Sequence, residues 1–318
     1  MTALVLLLLL PIPAFLALMA WRTRTLARQA VEAVPMVGRL TPVEGGAIHH
    51  IELGDPKAPA LVMIHGLSGQ LQHFSYAMAQ ELARDFRVVL LDRPGCGYSH
   101  RDSDNLASPT SQAQMIWRFL DAINISDPAV VGHSLGGAVA LAMALERPSQ
   151  IQALALLAPL THPMTTAPDS FKGLRIRSRF LRRFLGHTLA VPAAKRTAVQ
   201  VLAEIFAPEP CPDAFLTEAG AALGLRPKAF VTASADIIAA EQAIPQMSKA
   251  YAQADLPPGA VLFGEMDAIL SPQTHGDPMQ HHGLALKLLP GRGHMLPITA
   301  PAESIEFVRE TVLFANNR

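Results

Sequence analysis

The sequence predicts an α/β fold, a mostly parallel sheet with helices on both faces, and three observations predict it. Short runs rich in Val, Ile and Leu alternate with amphipathic stretches over residues 39–159 and again from about residue 260. That is the pattern of strands buried on both faces and joined through helices. One run, Ala129-Val130-Val131, passes into the Ala- and Leu-rich stretch 135–145 across Gly132-His133-Ser134-Leu135-Gly136. Between 160 and 233 the alternation stops: seven prolines, from Pro163 to Pro227, interrupt helical stretches and nothing reads as a core strand. This segment is expected to be a helical insertion after one strand of the sheet.

A chain of 318 residues holds one large domain, or one domain with an inserted subdomain. Its 26 basic and 26 acidic residues balance, which gives no footprint for nucleic acid. The two cysteines, Cys96 and Cys211, are far apart and lack metal-ligand spacing, so neither a disulfide framework nor a zinc site is expected.

Ala3 to Trp21 carries no charge and is dominated by leucine. As a helix it would be about 28 Å long, close to the hydrocarbon thickness of a bilayer. A cleaved signal peptide would want basic residues before the run and a small-x-small cleavage site, and neither is present. Residues 1–21 are therefore expected to be a single-pass membrane anchor. Arg22, Arg24 and Arg28 follow it, which by the positive-inside tendency puts the C-terminal side in the cytoplasm. Residues 22–38 read as a linker ended by Pro35 and Gly38.

A hairpin is expected from Arg39–Val43 and 47–53, turning at Glu44-Gly45-Gly46. Buried strands follow at 60–64, 87–91, 129–131, 151–157, 260–264 and 284–289, with helices near 72–84, 111–122, 135–145 and 302–314. The sheet domain is thus 39–159 with 234–318, and the insertion is 160–233.

Serine needs a neighbouring base before its hydroxyl becomes a useful nucleophile. Squeezed between a strand end and a helix start, Ser134 is lifted clear of the sheet, and the N–H of Leu135 and the helix dipole are aimed at the same space. His294, in Gly291-Arg292-Gly293-His294, lies just past the last strand, at the sheet edge where Ser134 also sits, and suits the base role. Asp267, immediately after the preceding strand, can orient that imidazole; Glu265 and Asp277 are its rivals.

With G-x-S-x-G in a strand–turn–helix context and the order serine, acid, histidine, the chain from about Arg39 to Phe314 resembles the α/β-hydrolase superfamily. The resemblance implies that Asp267 takes the acid role, since it stands where members carry theirs. It implies a second oxyanion donor in the N–H of Leu67, at the His-Gly-x position after the strand 60–64. It also implies that 160–233 is a cap. His65 and His133 are expected to brace loops beneath the site, and Asp92-Arg93 to form a local pair.

His275, Asp277, His281 and His282 lie close in sequence, but their spacing fits no single helix face and Pro278 intervenes. That favours a polar loop over a metal site. The segment 171–185 is rich in basic residues and has no acidic one. On a helical wheel Lys172, Arg175, Arg179, Arg182 and Arg183 share a side. It reads either as a cap helix with its apolar face on the site or as a helix lying on anionic lipid headgroups.

The function expected is a serine hydrolase cleaving a carboxylic ester or related acyl bond of an apolar substrate through an acyl-serine intermediate, without metal or organic cofactor. The same triad would serve an acyltransferase, a perhydrolase or a carbon–carbon hydrolase. A binding protein on the same fold has no need of all three residues.

Overall fold

A computed structural model describes residues 11–164 and 168–316. Its centre is a nine-stranded sheet in the order β1-β2-β4-β3-β6-β7-β8-β9, with β5 paired to β2. The strands are β1 (Arg39–Val43), β2 (Gly46–Leu53), β3 (Ala60–Ile64), β4 (Arg87–Leu91), β5 (His100–Arg101), β6 (Ala129–His133), β7 (Ala153–Leu157), β8 (Gly259–Gly264) and β9 (Leu284–Leu289). The β1–β2 hairpin joins β4 antiparallel, and from β4 to β9 every pairing on the path is parallel. The apolar runs became strands because both their faces are covered: Val62, Val89, Val130 and Leu156 are wholly buried. Such runs bury best where a crossover helix packs on each side.

The helices used below are α1 (Pro11–Ala33), α2 (Pro109–Ala122), α3 (Leu135–Glu146), α4 (Arg179–His187), α5 (Ala190–Phe206), α6 (Pro227–Tyr251) and α7 (Pro301–Asn316). Helix α2 starts two residues before the expected position. The Ser108 hydroxyl accepts from the Ser111 N–H, and Pro109 opens the helix, where its missing N–H costs nothing. The helix expected over 72–84 is instead two short turns, Gln72–Ser75 and Ala79–Leu82. Helix α6 runs unbroken through the expected boundary between 233 and 234.

The N-terminus departs most from expectation. Residues 3–10 of the apolar run lie outside the described residues. From Pro11 the chain is helical to Ala33, so the stretch expected as a linker from residue 22 is helix for most of its length. Among the described residues no helix is long and apolar enough to cross a membrane. This overturns the single-pass anchor, and with it the cytoplasmic placement that rested on arginines flanking a span. Those arginines sit inside the helix, and Met19, Thr23 and Ala30 are buried on one face of it. That face packs on α4, α5 and the turn Ala221–Leu225. The Thr23 hydroxyl donates to the Thr188 carbonyl at 2.7 Å, and Ala30 and Val34 join Ala222 and Leu223 in a small apolar cluster. An apolar helix face gains by leaving water whether its cover is lipid or protein; here protein covers one face, while Phe15 and Trp21 stay exposed.

The basic stripe also differs. Residues 171–185 are not one helix: a short turn ends at Lys172 and α4 begins at Arg179. Arg182 is buried, with Nη1 on Asp104 at 3.0 Å and Nη2 on the Ile176 carbonyl at 2.9 Å. Arg183 also reaches Asp104, Arg179 bonds Asn105, Arg175 pairs with Glu241 and Lys172 with Asp169. Arg175, Arg179, Arg182 and Arg183 therefore tie this part of the insertion down, and Phe180 is the most exposed of its large apolar side chains, at 81%. Neither wheel-based reading describes this arrangement.

Candidate active site

Four strands deliver the candidate residues to the carboxyl edge of the sheet: β3 leads to Leu67, β6 to Ser134, β8 to Asp267 and β9 to His294. Open α/β sheets bind ligands at that edge. Ser134 has φ 55° and ψ −122°, a conformation that costs a non-glycine residue of the order of 1–3 kcal/mol and is held only when the surroundings impose it. Here its N–H donates to Leu157 O at 3.1 Å, and its carbonyl accepts from Leu160 and Gly137 at 2.9 Å each. Gly136 makes this turn feasible, since a Cβ there would lie 2.1 Å from Ile64 O.

His294 Nδ1 donates to Asp267 Oδ2 at 2.7 Å, with the two side chains 5% and 0% exposed. The other oxygen, Oδ1, accepts from the Ile269 and Leu270 N–H groups at 2.9 Å each. Both oxygens are thus occupied, which sets the carboxylate's plane and leaves Nε2 as the free face of the imidazole. Glu265 and Asp277, the rival acids, are exposed. The loops carrying Asp267 and His294 are laced together, Met266 N to Arg292 O at 2.9 Å and Glu265 N to Leu289 O at 3.0 Å.

His133 Nε2 donates to the His294 carbonyl at 3.0 Å. Burial, then the neighbouring His294, holds the His133 pKa well below the ordinary histidine value, so it is a neutral donor. His65 accepts the Arg93 N–H at Nε2 and donates from Nδ1 to Gly66 O; burial likewise drives its pKa well down. Both rings brace loops beneath the serine. Leu135 opens α3, and Leu67 lies in a turn against Ser134: a Cβ on Gly66 would sit 2.9 Å from the serine Cβ. Among the described residues neither leucine's N–H is taken by a backbone carbonyl.

Asp92 and Arg93 do not pair. Asp92 takes His49 Nδ1 and the Leu71 and Tyr98 N–H groups, while Arg93 turns to the Gly66 turn and to Asp236 on α6. Glu209, in the Pro-rich stretch after α5, was not singled out in the sequence; its Oε2 accepts from Gly293 N at 2.8 Å, one residue before His294. No local spacing announces a contact made across 84 residues. His275 accepts from the Thr161 and His162 N–H groups, and burial pushes its pKa down to about 4. It packs a loop, and among the described residues no three His, Cys, Asp or Glu side chains are grouped to hold a metal.

A cleft of about 730 Å³ opens beside Asp267, a volume suited to a small molecule. Ile269 and His275 line it from the sheet domain, and Met164, Lys172 and Glu204 from the insertion; it borders the acid side of the site, and Ser134, His294 and Leu67 are not among its lining residues.

A family model described as "alpha/beta hydrolase fold" matches residues 59–301. Over 124 residues the chain is 32% identical to the magnesium-chelatase 30 kDa subunit of Rhodobacter capsulatus, covering 39% of this chain and 40% of that one. Over 123 residues it is 33% identical to the sn-1-specific diacylglycerol lipase of Mus musculus, covering 38% of each. The chain thus spans about two fifths of the length of these curated relatives. The crystal structure of a putative lipase from Acinetobacter baumannii AYE superposes with a TM-score of 0.67 at 20% identity, covering 93% of this chain and 97% of that one; that likeness is one of fold.

Proposed function

The chain belongs to the α/β-hydrolase fold family, and from that premise we propose that it is a serine hydrolase cleaving a carboxylic ester. Ser134 Oγ attacks the carbonyl carbon while His294 Nε2 takes its proton. The resulting oxyanion is met by the N–H groups of Leu67 and Leu135. Collapse expels the alcohol, which takes the proton from His294, and leaves the acyl group on Ser134. Water, deprotonated by His294, then repeats the sequence and releases the acid. Asp267 holds the imidazole tautomer and stabilises the imidazolium, and no step calls for a cofactor.

The observation that carries this reading is the buried His294–Asp267 hydrogen bond at 2.7 Å on the sheet edge that also bears Ser134. A structural histidine would have no need of an acid that is itself held by two main-chain donors. A lipophilic acyl substrate is favoured by the relatives whose names specify lipids, the diacylglycerol lipase among them. The residues between β7 and β8 would act as the cap over the cleft. Labelling with a fluorophosphonate probe, followed by a panel of esters of graded acyl length, tests the reading. Wild type should be labelled and Ser134→Ala should not; equal labelling of both would place the reactive serine elsewhere.

A further inference from the structure

Each of the three guanidinium nitrogens of Arg93 donates a hydrogen bond. Its Nε donates to His65 O at 2.9 Å and Nη2 to Gly66 O at 3.0 Å. Its Nη1 donates to Gln112 Oε1 at 2.7 Å and to Asp236 Oδ2 at 2.8 Å. The other oxygen of Asp236 takes Arg101 Nη1 at 2.7 Å. Arg93 and Asp236 are fully buried and Arg101 nearly so. Two guanidinium ions on one carboxylate leave this buried group with a net positive charge.

We propose that Arg93 is a positioning residue for the oxyanion turn, and that Asp236 links it to α6, the helix that leads out of the insertion. The inference rests on reading Ser134 as nucleophile and Leu67 as oxyanion donor. The Gly66 carbonyl and the Leu67 N–H are opposite ends of one planar trans peptide. Whatever grips the oxygen therefore aims the N–H. Three donors grip it: Arg93 Nη2, His65 Nδ1 at 2.9 Å and Gly69 N at 3.2 Å. A cation on the carbonyl also draws electron density through the amide and strengthens its N–H as a donor, an effect that low dielectric enlarges. Lysine cannot substitute, because the planar fork reaches two carbonyls and a carboxylate at once. Asp236 lies on α6, the helix that begins in the insertion and runs on past residue 233, so that helix also helps to set the turn beneath the substrate carbonyl.

The test uses protein labelled with [1-¹³C]glycine and [¹⁵N]leucine. Only the Gly66–Leu67, Gly173–Leu174, Gly224–Leu225 and Gly283–Leu284 peptides then give cross-peaks, and Leu67→Ile assigns the first by its loss. In Arg93→Met the Leu67 amide proton should move upfield while the other three stay in place, with Asp236→Asn giving a smaller shift in the same sense. For a short soluble ester, kcat should fall about 10- to 100-fold in Arg93→Met with KM within about threefold, since the oxyanion exists only after attack. Inhibition by a trifluoromethyl ketone, which forms a tetrahedral adduct, should weaken by the same factor as kcat/KM. Arg93→Lys should recover little of the loss. An unmoved Leu67 amide in folded Arg93→Met, or a lower melting temperature with unchanged kcat, overturns the proposal. If the variants do not fold, wild type decides: the Gly66 ¹³C′ should resonate downfield of the other three glycines, and finding it among them overturns the proposal. Absence of ester turnover and of Ser134 labelling would instead defeat the hydrolase reading, and the Leu67 amide shift would still report on the arginine.

Discussion

His133 donates its Nε2 proton to the carbonyl oxygen of His294 at 3.0 Å, so the residue before Ser134 holds the main chain of the candidate base. With Asp267 on the ring and Glu209 on the preceding N–H, His294 is seated by three groups from three parts of the chain.

Ser134→Ala and His294→Ala should each lower ester hydrolysis by at least ~10³-fold while circular dichroism stays unchanged. Asp267→Asn should cost less than either, because it acts through the ring. Glu265→Gln and Asp277→Asn, whose carboxylates are exposed, should retain activity. A fully active Asp267→Asn enzyme would move the acid role elsewhere.

Glu209→Ala removes the acceptor of the Gly293 N–H and frees the main chain beside His294. We expect kcat to fall several-fold, on the order of 1 kcal/mol for one charge-assisted hydrogen bond, with fluorophosphonate labelling slowed in proportion. Unchanged labelling rates would show that the His294 loop stays in place without this bond.

Stability should decline as the solution is acidified from about pH 6.5 towards pH 4. Burial lowers the His73 pKa from 6.5 to about 4, and both its ring nitrogens lie buried without a hydrogen-bond partner among the described residues. With the folded-state value below the unfolded one, the unfolded chain binds the proton first. The stability is therefore complete above pH 6.5 and is lost as pH falls through the folded pKa, by up to about 3 kcal/mol for this group. His275 adds in the same direction. Urea titrations of His73→Leu at pH 7 and pH 4.5 should show a smaller difference than wild type; an equal difference would remove His73 from the account.

Thr23→Val deletes the donor to the Thr188 carbonyl while keeping the side chain's shape. Leaving that buried carbonyl unpaired should cost about 1–3 kcal/mol, read as a lower urea midpoint at unchanged slope. An unaltered midpoint would mean that α1 does not stay docked on the insertion in solution.

Much of the fold was legible before any coordinates. Strands such as Ala60–Ile64 and Ala129–His133 declare themselves through short-range patterns, because burial on both faces demands unbroken apolar runs. The same pattern placed the candidates Ser134, Asp267 and His294 just past strand ends, which share one edge of a parallel sheet; between Asp267 and its rivals Glu265 and Asp277 the resemblance to the superfamily made the choice. The tertiary structure alone decided what covers each surface and what pairs with each charge. Hydrophobicity drives Met19 and Ala30 out of water without naming the cover, so an apolar N-terminal helix reads alike whether lipid or the α4–α5 face receives it. The arginines of 171–185 find Asp104 and Glu241, and Arg93 finds Asp236 across 143 residues. Coulomb attraction acts through space, and only the folded chain sets which charges come within reach.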